Sequence, residues 1–244
     1  MITMRGVRPS LNAIALALCV CLVAGGWLFG LLRSQPSFKG RSLRSWTYEV
    51  IQPSGSLSEA ITAFQKFGAD GVPVLVKLLQ RQNSSLRQIY SRVQPTLPAK
   101  VRGLLPPASL DAGGIRSRAA AVLGRIEPTA ARPAIPNLVR ALRDPEPTVR
   151  MAVAYTLGNI GRSDRPTVVP ALMSALGDPD LSVRLNACSA LGQIGPEARQ
   201  AVPALIDIVR RSDSDLKPQA IIALEKIRRG ATAAIPDLGE LFHR

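Results

Sequence analysis

Residues 149–161 read VRMAVAYTLGNIG, and residues 183–195, 34 positions further along the chain, read VRLNACSALGQIG. The same run of small residues ending in an apolar pair begins again at Ile115 and at Leu216. After each copy, a proline in register leads into a short apolar stretch. These prolines are Pro136, Pro170, Pro203 and Pro236. A fixed period of about 34 residues is typical of helical solenoids, so the sequence predicts four stacked repeats over residues 115–244.

Each repeat is predicted to be a pair of helices joined by an Asp-Pro turn. The in-register proline suits the first turn of the first helix, because its missing N–H has no intrahelical partner there. Thr148, Ser182 and Asp215 follow the turn at equivalent positions and are predicted to cap the second helix. That helix is rich in alanine, which lets neighbouring backbones approach closely. Glycines in residues 158–161 and 192–195 are predicted to end it.

These columns resemble HEAT repeats of the phycocyanobilin-lyase type, in which helix pairs stack into a right-handed superhelix. The shared pattern is Pro-x-Leu, Asp-Pro, Val-Arg and then Ala-x-x-Leu-Gly-x-Ile-Gly. The resemblance implies a structural hydrogen-bond ladder between units, carried by Asp144, Arg150, Asp178 and Arg184. It also implies one enzymatic alternative, lyase action on a bilin, which rests on fold analogy alone.

Upstream of the four repeats, residues 57–87 are predicted to form a degenerate HEAT-like repeat. Residues 88–114 are a proline-rich insertion, expected to be a long loop that either binds a partner or covers apolar surface. Residues 33–56 form a linker, in which Leu43, Trp46 and Val50 share one face of a short amphipathic helix. Trp46 is expected to cover the end of the solenoid. The segment GRSLRSW in this linker is similar to one in membrane-anchored repeat proteins of the planctomycete and verrucomicrobial group.

The N-terminal segment favours a membrane anchor. After a tail of residues 1–10, residues 11–32 contain no charged side chain and, as a helix, would span about 33 Å. The expected fold is therefore all-α: a right-handed α-solenoid of HEAT-like pairs preceded by one transmembrane helix. The alternative is a cleaved signal peptide, which would leave an exported soluble repeat protein. We expect a single-pass membrane protein with its repeats on the extracytoplasmic side, although the flanking charges also permit the opposite orientation.

Composition excludes several kinds of chemistry. The single histidine is His243, so histidine-based catalytic triads and paired-histidine metal sites are excluded, and three cysteines do not make a disulfide framework. No phosphate-binding glycine motif is present. Cys188 falls in the small-residue run of a repeat and is predicted to be a buried thiol. We therefore expect a protein that is not an enzyme and that has no cofactor and no metal.

The net charge of +14 raises the question of a partner. Two rows of polar or basic residues are predicted along the second helices. One row is Arg116, Arg150, Arg184 and Lys217, and the other is Arg125, Asn159, Gln193 and Lys226. Nucleic acid is an unfavoured alternative, because the repeats offer only Tyr155 and Phe242 for stacking on bases. The preferred hypothesis is a scaffold that binds an unidentified protein, with the second row as candidate contact residues.

Overall fold

The computed structural model describes residues 36–52, 55–82, 96, 112–210 and 215–229. The predicted anchor at 11–32, most of the 88–114 insertion and the last 15 residues of the final repeat lie outside the described residues. Within the described residues, no helix is long and apolar enough to cross a bilayer.

Helices dominate the described chain. Two short strands come first, β1 (Ser37–Phe38) and β2 (Arg41–Ser42). The helices follow in this order: α1 (Leu43–Ile51), α2 (Leu57–Phe67), α3 (Val72–Leu79), α4 (Ala112–Leu123), α5 (Pro128–Ala131), α6 (Ile135–Ala141), α7 (Pro147–Ile160), α8 (Arg165–Ala175), α9 (Leu181–Ile194), α10 (Val202–Arg210) and α11 (Lys217–Arg229). Short 3-10 turns cover Gly68–Gly71, Arg132–Ala134, Gly161–Ser163 and Gly195–Ala201.

The helices form two layers, as expected of an α-solenoid. The B helices α2, α4, α7, α9 and α11 pack on one another in succession. The A helices α3, α6 and α8 form the second layer, and α3, α6, α8 and α10 each pack against the B helix that follows. The pair α3 and α4 is separated in sequence by the stretch that contains the insertion. Helix α4 starts at Ala112, so the last three residues assigned to the insertion belong to the helix.

The N-terminal end of the solenoid differs from an all-α expectation, because a small hairpin precedes α1. Strands β1 and β2 pair antiparallel around Lys39 and Gly40, whose φ angles of 51° and 69° suit a tight primed turn. Trp46 of α1 is only 1% exposed, and its indole nitrogen donates to the Phe38 carbonyl at 3.1 Å. The Arg41 guanidinium lies 4.3 Å from the Trp46 ring centroid. The hairpin therefore fixes the tryptophan in the core.

Small residues let the B helices pack closely. A Cβ built on Gly158 would stand 2.8 Å from the Ala190 Cα of the next B helix, and one on Gly192 would stand 3.0 Å from the Ala223 Cα. Both glycines lie inside helices and serve close packing, whereas Gly161 and Gly195, at the ends of the predicted closing segments, are the C-caps of α7 and α9. Of the glycines predicted to end these helices, Gly195 is the one with a positive φ, 80°.

The helix starts correct two expectations. Thr148 and Ser182 lie within the first turn of α7 and α9 instead of capping them. Asp180 caps α9 by accepting from the Ser182 and Val183 amides, whereas α7 starts at a proline without a side-chain cap. Pro170 lies inside α8, because that helix begins five residues earlier, at Arg165. A 3-10 turn stands at the equivalent point directly before α3, α6 and α10, and here one continuous helix replaces it.

Candidate functional site

A ladder of arginine–aspartate pairs joins successive repeats. Arg116 donates through Nε and Nη2 to both carboxylate oxygens of Asp144, each at 2.7 Å. Arg150 makes the same two-pronged contact with Asp178, each hydrogen bond being 2.8 Å. The side chains of the second pair are 11% and 9% exposed, and those of the first are similarly buried. A bidentate pair of this geometry is among the strongest side-chain interactions.

The third nitrogen of each arginine fixes the turn that precedes its own helix. Arg150 Nη1 donates to the Asp144 carbonyl at 2.9 Å, and Arg184 Nη1 donates to the Asp178 carbonyl at 2.7 Å. Arg116 Nη1 reaches the Arg81 carbonyl at 2.8 Å, which occupies the equivalent place in the first unit. The Asp carboxylates also accept amides within their own turns. Each rung therefore holds two turns and two repeats together.

In the second rung of the ladder, hydrogen bonding holds the pKa of the aspartate low. The pKa of the Asp178 carboxyl lies below its ordinary value, chiefly because Arg150 donates to it, although burial acts in the opposite direction. The same hydrogen bond raises the pKa of Arg150. Arg116 and Arg150 are buried and paired, so these two members of the first basic row are occupied by structural contacts and are not free to bind phosphates.

Three of the four candidate contact residues lie on B helices and Arg125 lies in the turn just after α4, and the four differ in exposure. The Arg125 and Lys226 side chains are exposed, whereas Asn159 and Gln193 are half-buried. Asn159 Nδ2 donates to the Gly124 carbonyl of the preceding B helix at 3.1 Å, so this side chain is partly committed to the stacking of repeats. Arg125 Cζ lies 5.9 Å from the Tyr155 ring centroid. The exposed cations at the two ends of the row are therefore the stronger contact candidates.

Sequence reasoning missed a group of apolar side chains beside this row. Met151 on α7 is 36% exposed and Ile222 on α11 is 43% exposed, while Tyr155 and Leu185 are half-buried. In the 34-residue register these positions fall in two columns next to the candidate row. The sequence could have revealed this group, because these apolar residues do not follow the helical spacing of the buried residues in the same helices. We call this surface, made of Met151, Tyr155, Leu185, Ile222 and the candidate row, the B face.

A further missed residue, Arg118, ties the repeats to the N-terminal helices. Its Nη2 donates to the carbonyls of Glu49 and Gly55, both at 2.9 Å. Burial lowers the pKa of this guanidinium, and the Glu49 charge partly opposes that shift. The sequence signal for this special role was an arginine in a column that otherwise holds Ala152, Asn186 and Gln219.

Reactive side chains are few in the described part of the chain. Cys188 is fully buried, and burial raises the pKa of its thiol to about 11. No group of three or more His, Cys, Asp or Glu side chains among the described residues could hold a metal ion.

The chain was compared with protein families, with curated proteins and with solved structures. A family model for HEAT repeats matches residues 109–180 and 169–244. No curated protein matches the chain. Among solved structures, the complex of CpcE and CpcF of phycocyanin lyase from Nostoc sp. PCC7120 is 20% identical, with a TM-score of 0.49, over 86% of this chain and 73% of that one. Two engineered proteins from the Northeast Structural Genomics Consortium are also similar. The first is 26% identical, with a TM-score of 0.42, over 82% of this chain and 95% of that one. The second is 25% identical, with a TM-score of 0.43, over 86% of this chain and 60% of that one.

Proposed function

Because the chain belongs to the HEAT-repeat family, whose model matches more than half of it, we propose that it is a non-catalytic scaffold whose B face binds a protein partner. Stacked repeats of this kind offer extended surfaces suited to holding another protein. The proposal agrees with the structural use of the arginine–aspartate ladder, which holds the repeats together and leaves the B face for contacts.

The observation that carries this proposal is the exposure of large apolar side chains on the B face. Met151 and Ile222 are two of the three large apolar side chains that stand exposed in the described chain, the third being Tyr48. Ile222 lies one helical turn from the exposed cation Lys226, and Met151 lies one turn from Tyr155, whose ring centroid is 5.9 Å from Arg125 Cζ. An apolar centre with a polar and charged border is the usual composition of a protein-binding surface. Methionine and tyrosine are also enriched at such surfaces.

The finer features of the proposal rest on the sequence. We infer that residues 11–32 anchor the chain in a membrane as a single span, that the repeats stack with a right-handed twist, and that they lie on the extracytoplasmic side. The uncharged length of residues 11–32 supports the anchor. An intact-mass measurement of the membrane fraction tests it. The full mass is expected, and a chain lacking its first 25 or so residues would instead indicate a cleaved signal peptide.

Site-specific photocrosslinking in the producing cell tests partner binding. A photoreactive phenylalanine analogue replaces Met151 in one variant and Ile222 in another. A matched control carries it at Ser174, an exposed position on the A helix α8. The same partner is expected to crosslink at both B-face positions and not at position 174.

A second set of variants asks whether the polar row takes part in binding. Arg125→Glu combined with Lys226→Glu reverses the two exposed cations of the row and is expected to reduce crosslinking at position 151 at least about tenfold. Charges across an interface are complementary, so the reversal sets like charges against each other. Arg132→Glu with Arg199→Glu reverses two exposed cations elsewhere and serves as the control. Equal capture at positions 151 and 174, or no capture at all, would contradict the proposal.

A further inference from the structure

A cavity of about 420 Å³ lies between the A helices α3 and α6 and reaches the start of α4. Its charged lining consists of Arg81, Arg116, Arg140, Arg143 and Asp144, a net charge of +3. Two amide side chains join its walls, since Gln80 Nε2 donates to Asn137 Oδ1 at 2.6 Å. We call this cavity the arginine pocket. It belongs to the A layer and is separate from the B face.

Three of the four guanidinium groups in the arginine pocket have no counter-charge among the residues that the structure describes. The Asp144 carboxylate is fully engaged by Arg116 through two hydrogen bonds of 2.7 Å. The side chains of Arg81, Arg140 and Arg143 make no hydrogen bond or ion pair within the described part of the chain. Arg140 and Arg143 are exposed and Arg81 is half-buried, so an anion can reach them. Three like charges around one cavity repel one another until an anion binds.

The repeat architecture does not require this concentration of charge. One period later, Ser174 stands in place of Arg140 and Gly177 in place of Arg143. Arg81 of the first unit is equivalent to Asp144 of the next, because Arg116 donates to the Arg81 carbonyl as Arg150 donates to the Asp144 carbonyl. An arginine therefore stands in the first unit where the next unit has an aspartate. The same fold is therefore built at the next junction without any of the three unpaired arginines.

The segment next to the pocket in sequence is basic as well. Residues 83–111, between Gln82 and the start of α4, contain four basic residues and a single acidic one, Asp111. This segment therefore carries the same sign of net charge as the lining of the pocket.

We propose that the arginine pocket binds a phosphate monoester group. Guanidinium groups form two-pronged hydrogen bonds with phosphate oxygens, and a phosphate monoester carries nearly two negative charges at neutral pH. That charge matches three unpaired arginines better than the single charge of a carboxylate does. The cavity volume falls in the range of sites for small molecules. The phosphate comes either from a soluble phosphate ester or from the headgroup of a phospholipid.

Calorimetric titration of the full chain in non-ionic detergent tests the proposal with two probes. Glycerol 3-phosphate represents the soluble ester, and dihexanoyl phosphatidic acid presents the same group on a lipid. Saturable binding of one phosphate per chain is expected. Binding of the lipid at least about tenfold tighter than the soluble probe assigns the site to a headgroup, and similar or weaker lipid binding assigns it to a soluble ester.

Two variants and a control locate the binding. Arg140→Ser with Arg143→Gly copies the residues of the next repeat and is expected to weaken binding at least about a hundredfold, roughly tenfold for each charged contact. Arg81→Gln removes the guanidinium on the opposite wall and is expected to weaken binding about tenfold. Arg132→Ser with Arg199→Ser removes two exposed charges outside the pocket and is expected to leave binding unchanged.

The proposal is overturned if the wild-type chain shows no saturable binding of either probe. It is equally overturned if the two pocket variants, folded as judged by circular dichroism, bind as the wild type does, or if the control variant loses as much affinity as they do. None of these results bears on partner binding at the B face, because the pocket lies in the other layer.

Discussion

Replacing Arg150 with methionine tests whether the ladder holds the repeats together. The wild-type guanidinium makes two hydrogen bonds of 2.8 Å to Asp178 and one of 2.9 Å to the Asp144 carbonyl. Methionine fills much of the same space but leaves the Asp178 carboxylate, whose side chain is 9% exposed, without its cation. Removing one partner of such a buried pair costs about 3 kcal/mol or more. For a domain of this size we expect Tm to fall by about 6–12 °C.

The matched control is Arg165→Met, which breaks an exposed pair between neighbouring units. Arg165 lies 3.3 Å from Glu197, and the two side chains are 50% and 36% exposed. A surface pair of this kind contributes about 0–1 kcal/mol, so Tm is expected to change by no more than about 4 °C. Thermal unfolding of the full chain followed by circular dichroism compares the two variants.

Two further measurements identify the cause of the loss. Hydrogen exchange is expected to rise in α7 and α9 of the Arg150→Met variant before it rises elsewhere, because repeats interact mainly with their neighbours. Arg150→Met combined with Asp178→Leu is expected to recover part of the lost stability, since no buried charge then remains unpaired. Equal Tm changes for Arg150→Met and Arg165→Met would refute the structural role of the ladder.

The remaining predictions concern pH, helix packing and thiol reactivity. Because the folded-state pKa of Asp178 is lowered, its contribution to stability is present above its ordinary pKa of about 4 and is lost as pH falls through the lower folded value. The Tm difference between wild type and Asp178→Asn is therefore expected to shrink between about pH 7 and pH 3, and a constant difference would contradict it. Gly158→Ala places a Cβ 2.8 Å from the Ala190 Cα and is expected to destabilise the chain by about 1–3 kcal/mol in urea unfolding. The control Gly177→Ala meets nothing closer than 3.6 Å, and an equal cost there would count against the packing argument. Cys188, whose pKa is raised to about 11, is expected to resist alkylation at about pH 8 until the chain unfolds. Rapid modification of that thiol in the folded protein would show that the site opens.

The repeat columns show where sequence reasoning succeeded and where it failed. The period predicted a helical solenoid, and the resemblance of its columns to HEAT repeats is confirmed by the family match. The helix caps were predicted wrongly. Ser182 could cap α9 only if the helix began just after it, but α9 begins one residue before it, at Leu181. Pro170 was placed at a first turn for the same reason. A pattern fixes which residues recur, and it leaves the helix boundaries open by a turn.

The sequence alone determined the repeated helix pairs and their alanine-rich interfaces. These features depend on periodicity and composition, which can be read along the chain. The tertiary structure decided which basic residues are used in contacts within the protein and which are available to bind a ligand. Arg116 and Arg150 are recurring residues bound to aspartates 28 positions away, whereas Arg140 and Arg143 meet Arg81 around an open cavity. Charges that look alike in sequence differ in role because pairing and burial depend on which helices the stacking brings together.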